Sequence, residues 1–153
     1  MLAKKDPKDK NVLYTNFNDY HFKDQAFEGT GVLIFDTINH KTYVNISPRA
    51  DEHVLTAYLS HFNSVSKEPY KAITFKAIDN GPIYHTNVML AILNKHAVVA
   101  LDSIPNAKEQ QNVIRELTDP KGNKKPKKLI EVSLEEMRNF CCNVLQVDGE
   151  DGT

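Results

Sequence analysis

The chain has 153 residues, 41% of them hydrophobic and 25% charged, which suits one soluble domain large enough to bury a core. A formal net charge of -1 excludes a nucleic-acid or anionic-membrane partner recruited by bulk charge. The start, MLAKKDPKDK, lacks the apolar stretch of a secretory signal, no apolar run approaches the roughly 18 residues of a membrane span, and the two cysteines are neighbours that cannot staple distant segments. A cytoplasmic, reducing setting is the expectation.

In chain order, residues 1–11 are rich in Lys and Asp and are expected to be disordered, within an N-terminal segment spanning 1–26. YTNFNDYHF (14–22) carries aromatic residues without a clean period and is a candidate strand. VLIFD (32–36) and TYVNIS (42–47) read as strands, and 51–62 as a helix with Val54, Leu55, Tyr58, Leu59 and Phe62 on one stripe. KAITFKA (71–77) is a third strand. The series then restarts with strands over 88–93 and 96–102, a helix over 106–119 with Val113, Ile114 and Leu117 inward, and a strand over 127–133. The connection DPKGNKKPKK (119–128) reads as a solvated basic loop rather than an anion-binding patch. A short helix (134–140) precedes NVLQV (143–147), which reads as the opening strand of a further copy.

The offsets are nearly constant: 56 residues from Val32 to Val88, 55 from Asp51 to Asn106, and 56 from Lys71 to Lys127. A strand–strand–helix–strand unit therefore occurs twice, and repeats of such a period signal radial or stacked arrays. The units fall at 27–83 and 84–139, with a third, truncated one opening at 140–153. Before the first strand of each unit stands an aromatic residue followed by polar or reactive ones: Phe27-Glu28, Tyr84-His85 and Phe140-Cys141-Cys142. If the units pack about an axis, Glu28, His85 and a cysteine open at one mouth, and a carboxylate, an imidazole and a thiol are the parts of an acid–base and nucleophile site. Structural roles compete with each. His85 can cap a turn, Gly29 and Gly31 can supply a bend or a close approach, and the cysteines can be small buried hydrophobes. No metal-ligand spacing stands out among the six histidines and no phosphate loop occurs, so no cofactor is expected.

FEGTGVLIFD, NISPRADE and IYHTNVMLAIL followed by HAVVALDSI resemble the guanidino-group-modifying superfamily (amidinotransferase or arginine deiminase-like), nearest its citrulline-utilisation hydrolase branch. The resemblance runs from about Phe27 to Val147. It implies an α/β fold, a partial pentein-like propeller of repeated ββαβ modules. It also implies a mechanism in which a cysteine thiolate attacks the central carbon of a guanidino or ureido group while His85 shuttles protons. Arg49, in SPRAD, matches the arginine that grips the substrate α-carboxylate, with an exposed helix-entry cation as the alternative. Glu28 is a candidate acid, with turn capping or Lys pairing as its alternative. Asn87 and Gly31 stand where arginine-processing relatives carry aspartates, so a neutral ureido compound such as citrulline fits better than arginine. The glycine-rich segment that carries the nucleophilic cysteine in relatives has no match here, which implies a fragment, inactive or very weak alone, with self-association through exposed module edges. The competing reading is a non-catalytic propeller interaction protein or an inactive paralogue.

Overall fold

A computed structural model describes residues 25–119 and 121–147, together with the backbone of two short strands, β1 (Lys4–Lys5) and β2 (Leu13–Tyr14), which pair antiparallel. The expected strand over 14–22 and most of the expected disorder over 1–11 lie outside the described residues. The rest is mixed α/β with two three-stranded sheets of identical connectivity. In the first, β3 (Ile34–Asp36) pairs antiparallel with β4 (Lys41–Asn45), and β4 pairs parallel with β5 (Lys71–Phe75) across helix α2 (Glu52–Val65). In the second, β6 (Leu90–Ile92) pairs antiparallel with β7 (His96–Val99), and β7 pairs parallel with β8 (Lys128–Glu131) across helix α3 (Ala107–Thr118). The repeat inferred from spacing is thus a repeat of topology.

Matching caps start the two long helices. Asp51 accepts from the amides of His53 and Val54 at 2.8 and 3.2 Å, and Asn106 accepts from those of Lys108 and Glu109 at 3.0 and 3.3 Å. Each satisfies backbone donors that the first helical turn leaves without partners. Helix α4 (Leu134–Arg138) begins with a capping box between Ser133 and Glu136. The central strands β4 and β7 are the buried ones, as expected where a crossover helix covers a parallel pair. Val32, Val44, Leu55 and Leu59 form a small core under α2, flanked by an aromatic row in which Tyr58 stacks on Phe27 and Phe62 while Phe35 and Tyr70 meet edge to face. The larger core joins both units: Tyr43, Ile73 and Phe75 pack with Leu90, Val99, Val113 and Leu117.

Several strands are shorter than the sequence reading, three of their ends because helical turns replace them. The strand expected from 32 starts at Ile34 because Gly29–Val32 close a single helical turn, α1. The strand expected from 88 starts at Leu90 because Thr86–Val88 form a 3₁₀ turn, and the one expected to reach 102 stops at Val99 before a second 3₁₀ turn, Leu101–Ser103. Residues 143–147 form no strand. No third-sheet partner covers them among the described residues, so Leu145 and Val147 stand 87% and 80% exposed. No described helix is long and apolar enough to cross a membrane.

Buried charges lock the units together. The Asp36 and Lys127 side chains, both 1% exposed, lie 3.3 Å apart. The lysine also donates to the Leu93 carbonyl at 3.0 Å, and the aspartate accepts from the Asn39 side chain at 2.6 Å. Lys41 on β4 reaches Glu116 on α3 at 2.9 Å, Lys71 reaches the same carboxylate at 2.6 Å, and Tyr43 donates to the Glu116 carbonyl at 3.0 Å. Burial pushes the Glu116 carboxyl up, but the hydrogen bonds from Lys71 and Lys41 outweigh it and leave the group below its ordinary value. A carboxyl with a depressed native pKa contributes stability above its unfolded pKa and loses it as pH falls through the native one. Glu116→Gln should therefore destabilise the fold at neutral pH by about 3 kcal/mol, because Lys41 is left buried without its counter-charge. Urea titrations of the two proteins should converge as the pH falls below the carboxylate range; a constant difference would show that charge is not the cause.

Candidate active site

Glu28 and Arg49 are brought together by backbone. The Glu28 amide donates to the Arg49 carbonyl at 2.9 Å, beside the Phe27–Ala50 bridge, and the Asp51 amide donates to the Ala26 carbonyl at 2.9 Å. The SPR turn is held by the Ala50 amide, which donates to the Ser47 carbonyl at 2.9 Å, while the Ser47 hydroxyl donates to the Tyr84 carbonyl at 2.8 Å. This places the Arg49 guanidinium 4.8 Å above the Tyr84 ring, an attraction between a cation and an aromatic face.

His85 enters from the second unit. Its neighbour Thr86 is fully buried: the hydroxyl donates to the Val32 carbonyl at 2.7 Å and accepts from the Asn45 amide at 2.9 Å. The Asn45 side chain donates to the Ile83 carbonyl and accepts from the Ala77 amide at 2.8 Å, so both ends of the segment before His85 are pinned. The imidazole then lies against Gly31, where an added Cβ would stand 2.9 Å from the His85 Cγ. The glycine is there for close approach, one of the two roles its position suggested.

The result is a contact between residues 57 apart in sequence. His85 Nε2 lies 2.7 Å from Glu28 Oε2, and the same oxygen lies 3.4 Å from the Arg49 guanidinium. The His85 hydrogen bond first, and Arg49 beside it, hold the Glu28 carboxyl below its ordinary value against a smaller opposing effect of desolvation. An ionised Glu28 can only accept, so Nε2 carries the shared proton and the ring is held in one orientation. A carboxylate that orients an imidazole is the recurring support of histidine acid–base catalysis.

Arg49 and His85 open on a cleft of about 300 Å³. Three of the four expected site residues, Glu28, Arg49 and His85, therefore meet. Asn87 does not join them: it is half-buried in the 3₁₀ turn, makes no side-chain hydrogen bond among the described residues and does not line the cleft. Neither cysteine lines the cleft. Cys141 is exposed, while Cys142 is fully buried in the larger core, its thiol pushed up to about 11 by burial. That thiol is packing, not a nucleophile, and the expected convergence of thiol, imidazole and carboxylate is reduced to the last two. The sequence reading also missed Asp79 and Arg138, which line the same cleft, paired through two hydrogen bonds of 2.8 and 2.5 Å. No periodic signal links residues 59 apart. Among the described residues no group of three or more His, Cys, Asp or Glu could hold a metal ion.

Paired ββαβ units are the architecture that the resemblance to the guanidino-group-modifying enzymes implied. The profile of the eukaryotic N,N-dimethylarginine dimethylhydrolase family matches residues 1–153, and the chain belongs to this family. Among solved structures, it resembles the apo form of ArgZ, an arginine dihydrolase from the ornithine–ammonia cycle in cyanobacteria, with a TM-score of 0.63 at 20% identity. It likewise resembles the N-terminal domain of that enzyme, a cysteine-to-serine mutant bound to substrate, with a TM-score of 0.57 at 19% identity. These likenesses cover 82% and 80% of this chain but only 17% and 40% of the relatives' chains, so it spans well under half of either. No curated protein sequence matches. The superfamily expected from EGTG, SPR and YHTN is thereby shown.

Gly31→Ala tests the packing that holds His85. The added methyl has no room beside the imidazole, so the Glu28 contact should break and the Glu28 titration midpoint, followed by carbon NMR of its carboxyl, should rise toward the ordinary carboxylate value. A midpoint unchanged from the wild type would show that the glycine does not set the histidine's position.

Proposed function

We propose that this chain carries the acid–base and carboxylate-binding part of a hydrolase site for a ureido or guanidino amino acid, with its two units as consecutive modules of an α/β propeller. The observation that carries the reading is the 2.7 Å contact of His85 with Glu28, one oxygen of which also faces Arg49. His85 acts as general acid and base, Glu28 orients it and balances its charge, and Arg49 grips the α-carboxylate with its planar donor pair. The nucleophilic thiol comes from sequence outside this chain. In the reaction that thiolate adds to the central carbon, the leaving amine departs with a proton from His85, and water then adds as His85 takes a proton back and the thiolate leaves. Alone, the chain is expected to show no turnover.

Charge favours a neutral ureido substrate. Both nearby carboxylates are committed: Asp79, which lines the cleft, to Arg138, and Glu28, which touches the cleft residues His85 and Arg49, to those two. Gly31 and Asn87 supply none. A guanidinium would enter without a counter-charge, whereas a ureido group needs only hydrogen bonds. L-Citrulline should therefore shift the His85 ring signals in an NMR titration at lower concentration than L-arginine; equal or tighter binding of arginine would refute the charge argument. In a polypeptide that supplies the thiol, His85→Ala should reduce citrulline turnover by about 10²–10⁴-fold. If neither amino acid perturbs His85, the non-catalytic interaction reading gains instead.

The module reading also implies open flanks. Phe140, Leu145 and Val147 are exposed at one end, and an apolar groove between Phe27, Leu33, Phe35 and Tyr58 lies on the first unit. Exposed apolar surface of this kind favours association. Sedimentation at low micromolar concentration should show species heavier than 17.4 kDa; a strict monomer would count against the open-module reading.

A further inference from the structure

The lysine-rich connection ahead of β8, which reads from sequence as a solvated loop, folds back against the turn between β6 and β7 and encloses a cleft of about 330 Å³. Lys95, Lys124, Lys125 and Lys128 line it with Asn94 and the half-buried His96, and no carboxylate does. Lys124 is paired with Glu68 at 2.7 Å, but among the described residues Lys95, Lys125 and Lys128 enter no ion pair. The chain as a whole carries -1, so the excess of positive charge is local. The crowding is also unfavourable in itself: the Lys128 amide donates to the Lys95 carbonyl at 2.9 Å, and like charges on neighbouring positions of a ladder repel. Apolar packing requires none of these exposed ammonium groups, so the fold alone does not account for their gathering.

Both walls of the cleft are held. The Asn39 side chain accepts from the Lys125 amide and donates to the Lys125 carbonyl, each at 2.9 Å. The Lys127 amide donates to the Leu117 carbonyl at 2.8 Å, and its buried ammonium donates to the Leu93 carbonyl, at the β6–β7 turn, at 3.0 Å. The lysine stems therefore start from a fixed frame, which lowers the ordering cost of binding.

We infer that this cleft binds a compact polyphosphate anion. The inference is independent of the hydrolase reading, because the cleft shares no lining residue with the one at His85. It has no arginine, whose planar fork is the usual partner of a carboxylate, whereas lysine serves phosphate as a point charge. A phosphate monoester carries about -1.5 to -2 charges at neutral pH, so balancing Lys95, Lys125 and Lys128 takes at least two phosphates in one molecule. No Phe, Tyr or Trp lines the cleft to stack on a base, which disfavours single-stranded nucleic acid.

The test follows the amide signals of Lys95, Lys125 and Lys128 by NMR as inorganic triphosphate is added to the intact chain at low salt. Triphosphate should shift them and bind about ten-fold more tightly than orthophosphate or sulfate at matched ionic strength. The shifts should fade at 1 M salt, where the screening length is about 3 Å. Replacing two exposed lysines together, Lys125→Gln and Lys128→Gln, should weaken triphosphate binding about ten-fold, while Lys108→Gln on α3 should leave it unchanged. Vesicles containing phosphatidylinositol bisphosphate distinguish the source of the phosphates: co-sedimentation of the chain assigns a lipid headgroup, and a chain left in the supernatant assigns a soluble ligand. Equal affinity for triphosphate and sulfate, or a double variant that binds as the wild type does, overturns the inference. A uridine decamer that displaces triphosphate at lower concentration also overturns it, in favour of RNA.

Discussion

Everything at the candidate site depends on one buried hydroxyl. Thr86 joins a carbonyl at the end of α1 in the first unit to an amide at the end of β4, and it is the residue next to His85. A buried hydroxyl that both donates and accepts has no low-energy alternative once water is excluded. It therefore fixes the path of the chain to within a hydrogen-bond length, and the imidazole is delivered onto Gly31 and against Glu28. The 3₁₀ turn that shortened the expected strand is part of this device. Had residues 88 and 89 continued as strand, His85 would have been carried along the sheet edge instead of across to the neighbouring unit.

The charged pairs between the units serve the same end by other means. Asp36 with Lys127 and Glu116 with Lys41 are each drawn from different units and are almost wholly desolvated. Such pairs are a poor source of net stability compared with apolar residues of the same size, yet separating the partners is strongly unfavourable. They therefore specify how the units sit against each other more than they hold the fold together. The shared apolar core of Tyr43, Phe75, Leu90 and Val113 supplies the larger driving force, and it is directionless. Register at the cleft needs the polar contacts.

The cleft itself is neutral by compensation. Asp79 at its edge faces Arg138, and Glu28, in contact with His85, faces Arg49. Membership of the dimethylarginine dimethylhydrolase family and likeness in fold to an arginine dihydrolase agree with this architecture of paired ββαβ units.

The sequence by itself determined the repeat and the helices, and it singled out Glu28 and His85 by their place in the repeat and Arg49 by family resemblance. Hydrophobic period and a recurring aromatic–polar pair are local signals, written within a few residues of one another. The exposed position of 143–147 was half legible: the apolar residues were evident, but a strand forms only where a neighbouring strand takes up its hydrogen bonds, and none does so among the described residues. Tertiary structure alone decided that Asn87 does not line the cleft, that Cys142 is core, that Gly31 seats an imidazole and that Asp79 meets Arg138. Each of these depends on two segments whose separation along the chain carries no periodic trace. They are selected by close packing and by the high cost of an unsatisfied buried polar group, and both act only after the chain has folded back on itself.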